Sequence, residues 1–169
     1  MKKLAFSLIA AAALTVAPRL ASAQVQGQIA AEATINTVLE FGASKTVDFG
    51  AIAPGTGATG SGYIALNRNI GVVFTLPSAA NTGRLTRSGS TTDFLQPTYT
   101  CGVGTTNTTI TSAFTSCTPA TGTTAVLTLP APTTLKNEFV IFNGTLAASQ
   151  TNVIPGTYLG TIQITATAN

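Results

Sequence analysis

The stretch Val153 to Asn169, written VIPGTYLGTIQITATAN, constrains the fold more than any other. After the turn signal Pro155-Gly156, Tyr158, Gly160, Ile162, Ile164, Ala166 and Ala168 share one parity. Leu159, Thr161, Gln163, Thr165 and Thr167 hold the other. A period of two marks a strand with one buried and one wetter face. The alternation runs up to Asn169. The strand is therefore expected to present an edge of unpaired N–H and C=O groups, which a second strand can use.

A stretch of matching alternation stands at the other end of the chain. In QVQGQIAAEATINTVLEF, residues 24–41, Val25, Gly27, Ile29, Ala31, Ala33 and Ile35 share one parity, continued by Leu39 and Phe41. Gln26, Gln28, Glu32, Thr34, Asn36 and Glu40 share the other. This run is longer than a common strand. Two readings fit it: an extension over 24–34 followed by a first domain strand near 35–42, or one long strand with a bulge.

What precedes that run reads as a leader. Lys2-Lys3, the apolar run Leu4 to Ala17 and the small-residue site Ala21-Ser22-Ala23 form a secretory signal of bacterial type, with cleavage expected before Gln24. A short N-terminal anchor is the alternative, but the apolar run is short for a membrane span. Export through the Sec pathway to the periplasm, and then to the surface or beyond, is the expected destination. Removing the leader changes the charge balance. The whole sequence has eight basic and five acidic residues. Lys2, Lys3 and Arg19 leave with the leader, so the five remaining basic side chains balance the five acidic ones. A neutral chain with so few charges has no patch for phosphates, which argues against nucleic acid as a partner. It also resists its own association weakly.

Between the two ends the pattern stays β. Lys45–Ala53 is expected as a strand, closed by Pro54-Gly55 and a Gly/Thr turn through Gly62. Tyr63–Leu66 and Ile70–Leu76 follow, rich in β-branched and aromatic residues. Leu85 suggests a short strand. Phe94–Cys101 and Thr108–Thr115 read as a hairpin around Gly102–Asn107, and Ala125–Leu129 as a short apolar strand before Pro130-Ala131-Pro132. Phe139–Phe142 is apolar throughout, as in a core strand. Asn143-Gly144 is the strongest two-residue hairpin signal in the chain, or else the end of that strand before a loop to Pro155. No helical period appears after the leader. The expected architecture is a single all-β domain over residues 35–169, a sandwich or barrel.

The side-chain inventory bears on chemistry. Cys101 and Cys117 are the only cysteines. In an exported chain they are expected to form a disulfide. A redox or metal pair is the alternative, without a CxxC or a histidine to support it. The absence of histidine removes the usual general base and the usual zinc ligand. Glu32, Glu40, Asp48, Asp93 and Glu138 form no evident acid–base pair along the sequence. No motif supports a Ser-Lys pair with Lys45 or Lys136. Neither an enzyme nor a cofactor nor a metal site is expected. Arg84 and Arg87, among Gly and Ser, read as loop charge or as contacts to a neighbouring subunit or an anionic surface. Asn107-Thr108-Thr109 and Asn143-Gly144-Thr145 match a glycosylation sequon.

Two segments carry a family resemblance. VDFGAIAPG followed by GYIALNRNIGVVFTL is similar to the opening of spore-coat-protein-U-like domains, the subunits of archaic chaperone–usher pili. IFNGTLAASQTNVIPGTYLGTIQITATAN resembles their closing segment: an apolar strand, a small loop with Gln, then Pro155-Gly156-Thr157-Tyr158 and an alternating strand. The resemblance implies an immunoglobulin-like sandwich that lacks one strand, its groove filled first by a periplasmic chaperone. The N-terminal extension of the next subunit then replaces the chaperone strand at an outer-membrane usher. Carried over by position, Tyr158, Gly160, Ile162, Ile164 and Ala166 would line the acceptor edge. Val25, Gly27, Ile29, Ala31 and Ala33 would be the donor residues. This chain departs from the family in ending without an aromatic near Asn169, and in placing its cysteine pair mid-chain. Two functions follow as expectations: a structural subunit of a pilus-like or surface assembly, or a self-contained surface or adhesion module whose own N-terminal run completes the sheet.

Overall fold

A computed structural model describes residues 32–76, 83–117, 124–150 and 154–169. The chain divides into two units at Thr34/Ile35, and the fold is that of the second, Ile35–Asn169. The leader 1–23 and the donor residues Val25, Gly27, Ile29 and Ala31 lie outside the described residues. Ala33 is described, exposed and outside any strand.

The strands are β1 (Leu39–Lys45), β2 (Ala58–Arg68), β3 (Val72–Leu76), β4 (Leu85–Arg87), β5 (Phe94–Leu95), β6 (Thr98–Gly104), β7 (Ser112–Ala113), β8 (Ala125–Leu129), β9 (Lys136–Leu146), β10 (Tyr158–Leu159) and β11 (Thr165–Ala168). Every pairing among them is antiparallel. They form a five-stranded sheet β1-β2-β9-β6-β7 and two three-stranded sheets, β10-β4-β5 and β11-β3-β8. Among the described residues the one helical element is a 3-10 turn, Ala148–Gln150.

Alternation explains the layers. In β3, Val72, Phe74 and Leu76 are buried while Val73 and Thr75 are half-buried. Leu66 of β2, Val72 and Phe74 of β3, Tyr99, Cys101 and Val103 of β6, Leu129 of β8, and Val140 and Phe142 of β9 join one buried cluster. The five-stranded sheet and the β11-β3-β8 sheet thus share a core, an all-β arrangement consistent with a β-sandwich. The Cys101–Cys117 disulfide is formed and is part of that core. It ties β6 to the chain that follows β7. Phe114, between the two cysteines, meets Phe74 edge-on at 6.2 Å.

At one end of the core, Arg68 and Glu138 form a buried ion pair at 2.6 Å. The same guanidinium donates to the carbonyls of Ile70 and Pro130 at 3.0 and 2.7 Å. One cation thereby satisfies groups from β9, the β2–β3 turn and the segment after β8, which is how a buried charge is tolerated.

Several expected boundaries differ. Lys45–Ala53 is not a strand: only Lys45 is laddered, and residues 46–50 have no sheet partner. The Gly/Thr stretch expected as a turn instead opens β2 at Ala58, and the chain reverses at 69–71. Asn143-Gly144 makes no hairpin and does not end the strand. It lies inside β9, with Gly144 paired to Gly60 on one side and Tyr99 on the other. Local turn preference loses there to two full ladders, and the missing side chain of Gly144 is used for packing. The last strand is not continuous either. Tyr158–Leu159 pairs with β4, Thr165–Ala168 pairs with β3, and residues 160–164 run between the two sheets.

Candidate functional site

The site is a slot bounded by the segment after β1 and by the segment leading into the last strand. Its first wall is Thr46–Pro54, which leaves β1 and crosses the inner face of the five-stranded sheet. Three glycines make that crossing possible. A side chain on Gly60 would meet the Asp48 carbonyl at 2.4 Å, and one on Gly62 the Lys45 carbonyl at 2.5 Å. One on Gly144 would strike the Phe49 ring at 2.5 Å. The wall therefore lies directly on β2 and β9, and Val47 and Phe49 pack on the core. Asp48 then turns the chain: its carboxylate accepts from the Gly50 N–H at 2.8 Å, and Gly50 takes the left-handed φ of 67° that a residue with a side chain rarely adopts.

The second wall is Ile154–Ile162. Tyr158 closes the Pro155-Gly156 turn by donating its hydroxyl to the Ile154 carbonyl at 2.7 Å. Gly160 lies against the backbone of Arg84, where a Cβ would sit 2.2 Å from the carbonyl oxygen. The Gly83 N–H donates to the Thr161 carbonyl at 2.8 Å, while the Tyr99 hydroxyl donates to the Gly83 carbonyl at 2.8 Å. Tyr99 thus anchors this wall to β6. Its burial pushes the phenol up to about 12.

Between the walls are two cavities, of about 690 and about 310 Å³, that share Thr46, Val47, Leu85 and Gly160 and so form one slot. Leu85 and Leu95 line the larger, and Ile64, Tyr99 and Phe142 the smaller. Apolar side chains stand at its lip: Ile154 is 53% exposed and Leu159 65%. Among the described residues, Lys45 and Asp48 are the only charged ones that line it. A slot so poor in charge suits an apolar, extended occupant.

The acceptor-edge residues expected from the sequence all lie on this second wall or its continuation. Tyr158, Ile162, Ile164 and Ala166 are half-buried, and Gly160 is exposed. Ile162, Ile164 and Ala166 pack against the core. The first wall was missed. Its signal in the sequence is Gly60, Gly62 and Gly144 on the inward parity of strands, where small residues mark a close backbone approach.

Asn36, Val38 and Asn169 all bond to the turn between β2 and β3, at the Arg68 end of β2 and away from the Gly60 end on which the first wall lies. Val38 and Asn69 exchange backbone and side-chain bonds, and the Asn69 amide donates to the Asn36 carbonyl at 2.8 Å. The Asn169 N–H donates to Gly71 O at 2.9 Å.

The two loop arginines have specific partners. Arg87 pairs with Asp93 at 2.6 Å, and Arg84 lies over the Phe94 ring at 4.2 Å. The hydrogen bond from Arg87, helped by Ser90, holds the Asp93 carboxyl below the usual range. Among the described residues no group of His, Cys, Asp and Glu could hold a metal ion, and no helix is long and apolar enough to cross a membrane. Comparison with protein-family models, with curated proteins and with solved structures finds no match.

Proposed function

We propose that this protein is a secreted structural subunit that assembles with other copies, or with related subunits, by β-strand addition at the slot. The single observation that carries this reading is a mainly apolar slot, poor in charge, between the chain after β1 and the segment Ile154–Ile162 that leads into the last strand. The strand order supports it. The run β1-β2-β9-β6 has the A-B-E-D order of an immunoglobulin-type sandwich, and β3 beside β11 has its C-F order. In that plan the next position beside F is strand G. Among the described residues no strand pairs β11 on that side.

Residues 25–33 have the composition the slot calls for. Val25, Gly27, Ile29, Ala31 and Ala33 would face its floor, with Gln and Glu32 facing out. Burying Val25 and Ile29 would contribute about 1.5–3 kcal/mol each, and an extended backbone would satisfy the open edge. A donor from another copy fits better than the chain's own. Asn36 and Val38 are fixed to Asn69, so the chain would have to reverse within residues 34–35 to re-enter its own slot. It would then lie parallel to the last strand, the slightly weaker pairing. A neighbour's segment can enter antiparallel with no reversal. The periplasmic chaperone and usher of the resembling family are proposed on the same ground, as the partners that would hold the slot before assembly.

The test adds a peptide of residues 24–35 to protein that begins at Ile35. The expected result is a saturable rise in melting temperature and a peptide that resists washing from the protein. Protein of residues 35–169 that is a stable monomer, with a melting temperature the peptide leaves unchanged, would sink the proposal.

A further inference from the structure

We propose that the outer edge of β8 is a second docking edge, and that its occupant is β8 of another copy of this chain, paired antiparallel about a two-fold axis. The proposal does not rest on strand addition at the slot.

β8 ends the sheet β11-β3-β8, and among the described residues no strand pairs its outer side. The ladder tells which groups are open there. The Asn169 N–H donates to Gly71 O, so Asn169 and Gly71 form a hydrogen-bonded pair in the register that sets Ala168 opposite Val72. Hydrogen bonds alternate sides along a strand. The odd residues of β3 therefore bond β11, and Val72, Phe74 and Leu76 bond Leu129, Leu127 and Ala125. The N–H and C=O groups of Val126 and Thr128 are left pointing to the open edge.

Among the described residues this edge carries neither charge nor proline. Natural edges are blunted by charge, proline, a bulge or cover. β8 reads AVLTL, and Val126 is 47% exposed.

The strand's existing partner says what fits it. β3 reads VVFTL and β8 reads AVLTL, paired about Phe74 and Leu127. β8 already pairs with a near copy of itself. A second β8 centred on Leu127 repeats the same classes of contact: Val126 opposite Thr128, Leu127 opposite its own copy, and Ala125 opposite Leu129. The open groups of Val126 and Thr128 then exchange four backbone hydrogen bonds across the seam, and no like charges meet. Such a contact is self-complementary and closes at two copies.

Sedimentation velocity on the protein of residues 24–169 tests this against Thr128→Pro and Val126→Asp/Thr128→Asp. Proline at 128 removes an N–H that the ladder to β3 does not use. The two aspartates bring four carboxylates into one seam. The expected result is a concentration-dependent dimer for the parent, weakened about tenfold or more in both variants, with far-UV circular dichroism unchanged. A parent that stays monomeric across about two decades of concentration, or variants that dimerise as tightly as the parent, would overturn the proposal. Longer polymers formed through residues 24–34 would persist in both variants, so the two readings fail separately.

Discussion

Gly160→Ala tests how the second wall of the slot is held. Gly160 has no left-handed φ to lose, so the change acts through space alone. The new Cβ would sit 2.2 Å from the Arg84 carbonyl oxygen and 3.0 Å from Leu85 Cδ2. The first distance is more than 1 Å short of ordinary van der Waals contact at 3.4 Å. The atom it meets is backbone and cannot rotate away, so the segment 160–162 must retreat. The Gly83 N–H···Thr161 bond, now 2.8 Å, would stretch past hydrogen-bond reach. Gly83 is buried, so its N–H would lack a water replacement. An unmet buried donor costs about 1–3 kcal/mol, offset by about 0.4–1 kcal/mol from the stiffer unfolded chain. The expected net loss is about 1–2 kcal/mol, read as a lower urea midpoint at unchanged slope. Gly156→Ala is the internal control. Its new Cβ would meet only Arg87 Cγ and Cδ at 3.0 Å, and that side chain can swing aside. It should cost less than about 0.5 kcal/mol. If the two variants unfold at the same urea concentration, the second wall is not held as described.

Three further outcomes are expected. Replacing Cys101 and Cys117 together by Ser opens a loop of 16 residues' separation; calorimetry should find a loss of about 3 kcal/mol or more, since the cysteines are also buried. Tyr99 keeps its proton in the fold up to about pH 12, whereas an unfolded tyrosine loses it near 10, so stability should fall as pH rises above 10. Denaturation at pH 8 and 11 should show that fall in the parent and lose it in Tyr99→Phe. Arg68→Met leaves buried Glu138 only the longer pair to Lys136 at 3.9 Å and should cost about 3 kcal/mol, whereas Arg87→Met, at a half-exposed pair, should cost less than about 1 kcal/mol by urea titration.

The fold class was legible because periodicity survives in the packing. Ala125–Leu129 is a strand at the expected bounds, and of the six alternating residues Tyr158, Ile162, Ile164 and Ala166 are half-buried whereas Gly160 and Ala168 are exposed. What was not legible depended on partners distant in sequence. Asn143-Gly144 is a hairpin signal when read locally, but β2 and β6 claim both sides of it. Lys45–Ala53 has the composition of a strand, yet beyond Lys45 three glycines from β2 and β9 draw it onto the inner face of the sheet, off any ladder. One wall of the slot was therefore readable from alternation, whereas the other needed the register of β2 against β9.

That contrast leads to a distinction between folding and assembly at Ile162. Residues 160–164 join a segment bonded to β4 with one bonded to β3, and they belong to no ladder of their own. One backbone bond, from the Gly83 N–H to Thr161, and side-chain packing hold them, since Ile162 and Ile164 pack on the core while only half-buried. In the free protein, Ile162→Ala should cost about 1–2 kcal/mol, because part of that side chain is already in water. A strand added beside this wall would cover the remainder. With the slot filled by the 24–35 peptide, the same change should approach the 2–5 kcal/mol of a core truncation. Urea unfolding of Ile162→Ala and the parent, each with and without saturating peptide, measures both losses. A loss that is equal in the two conditions would mean that Ile162 is not covered by the added strand, and that the strand pairs elsewhere.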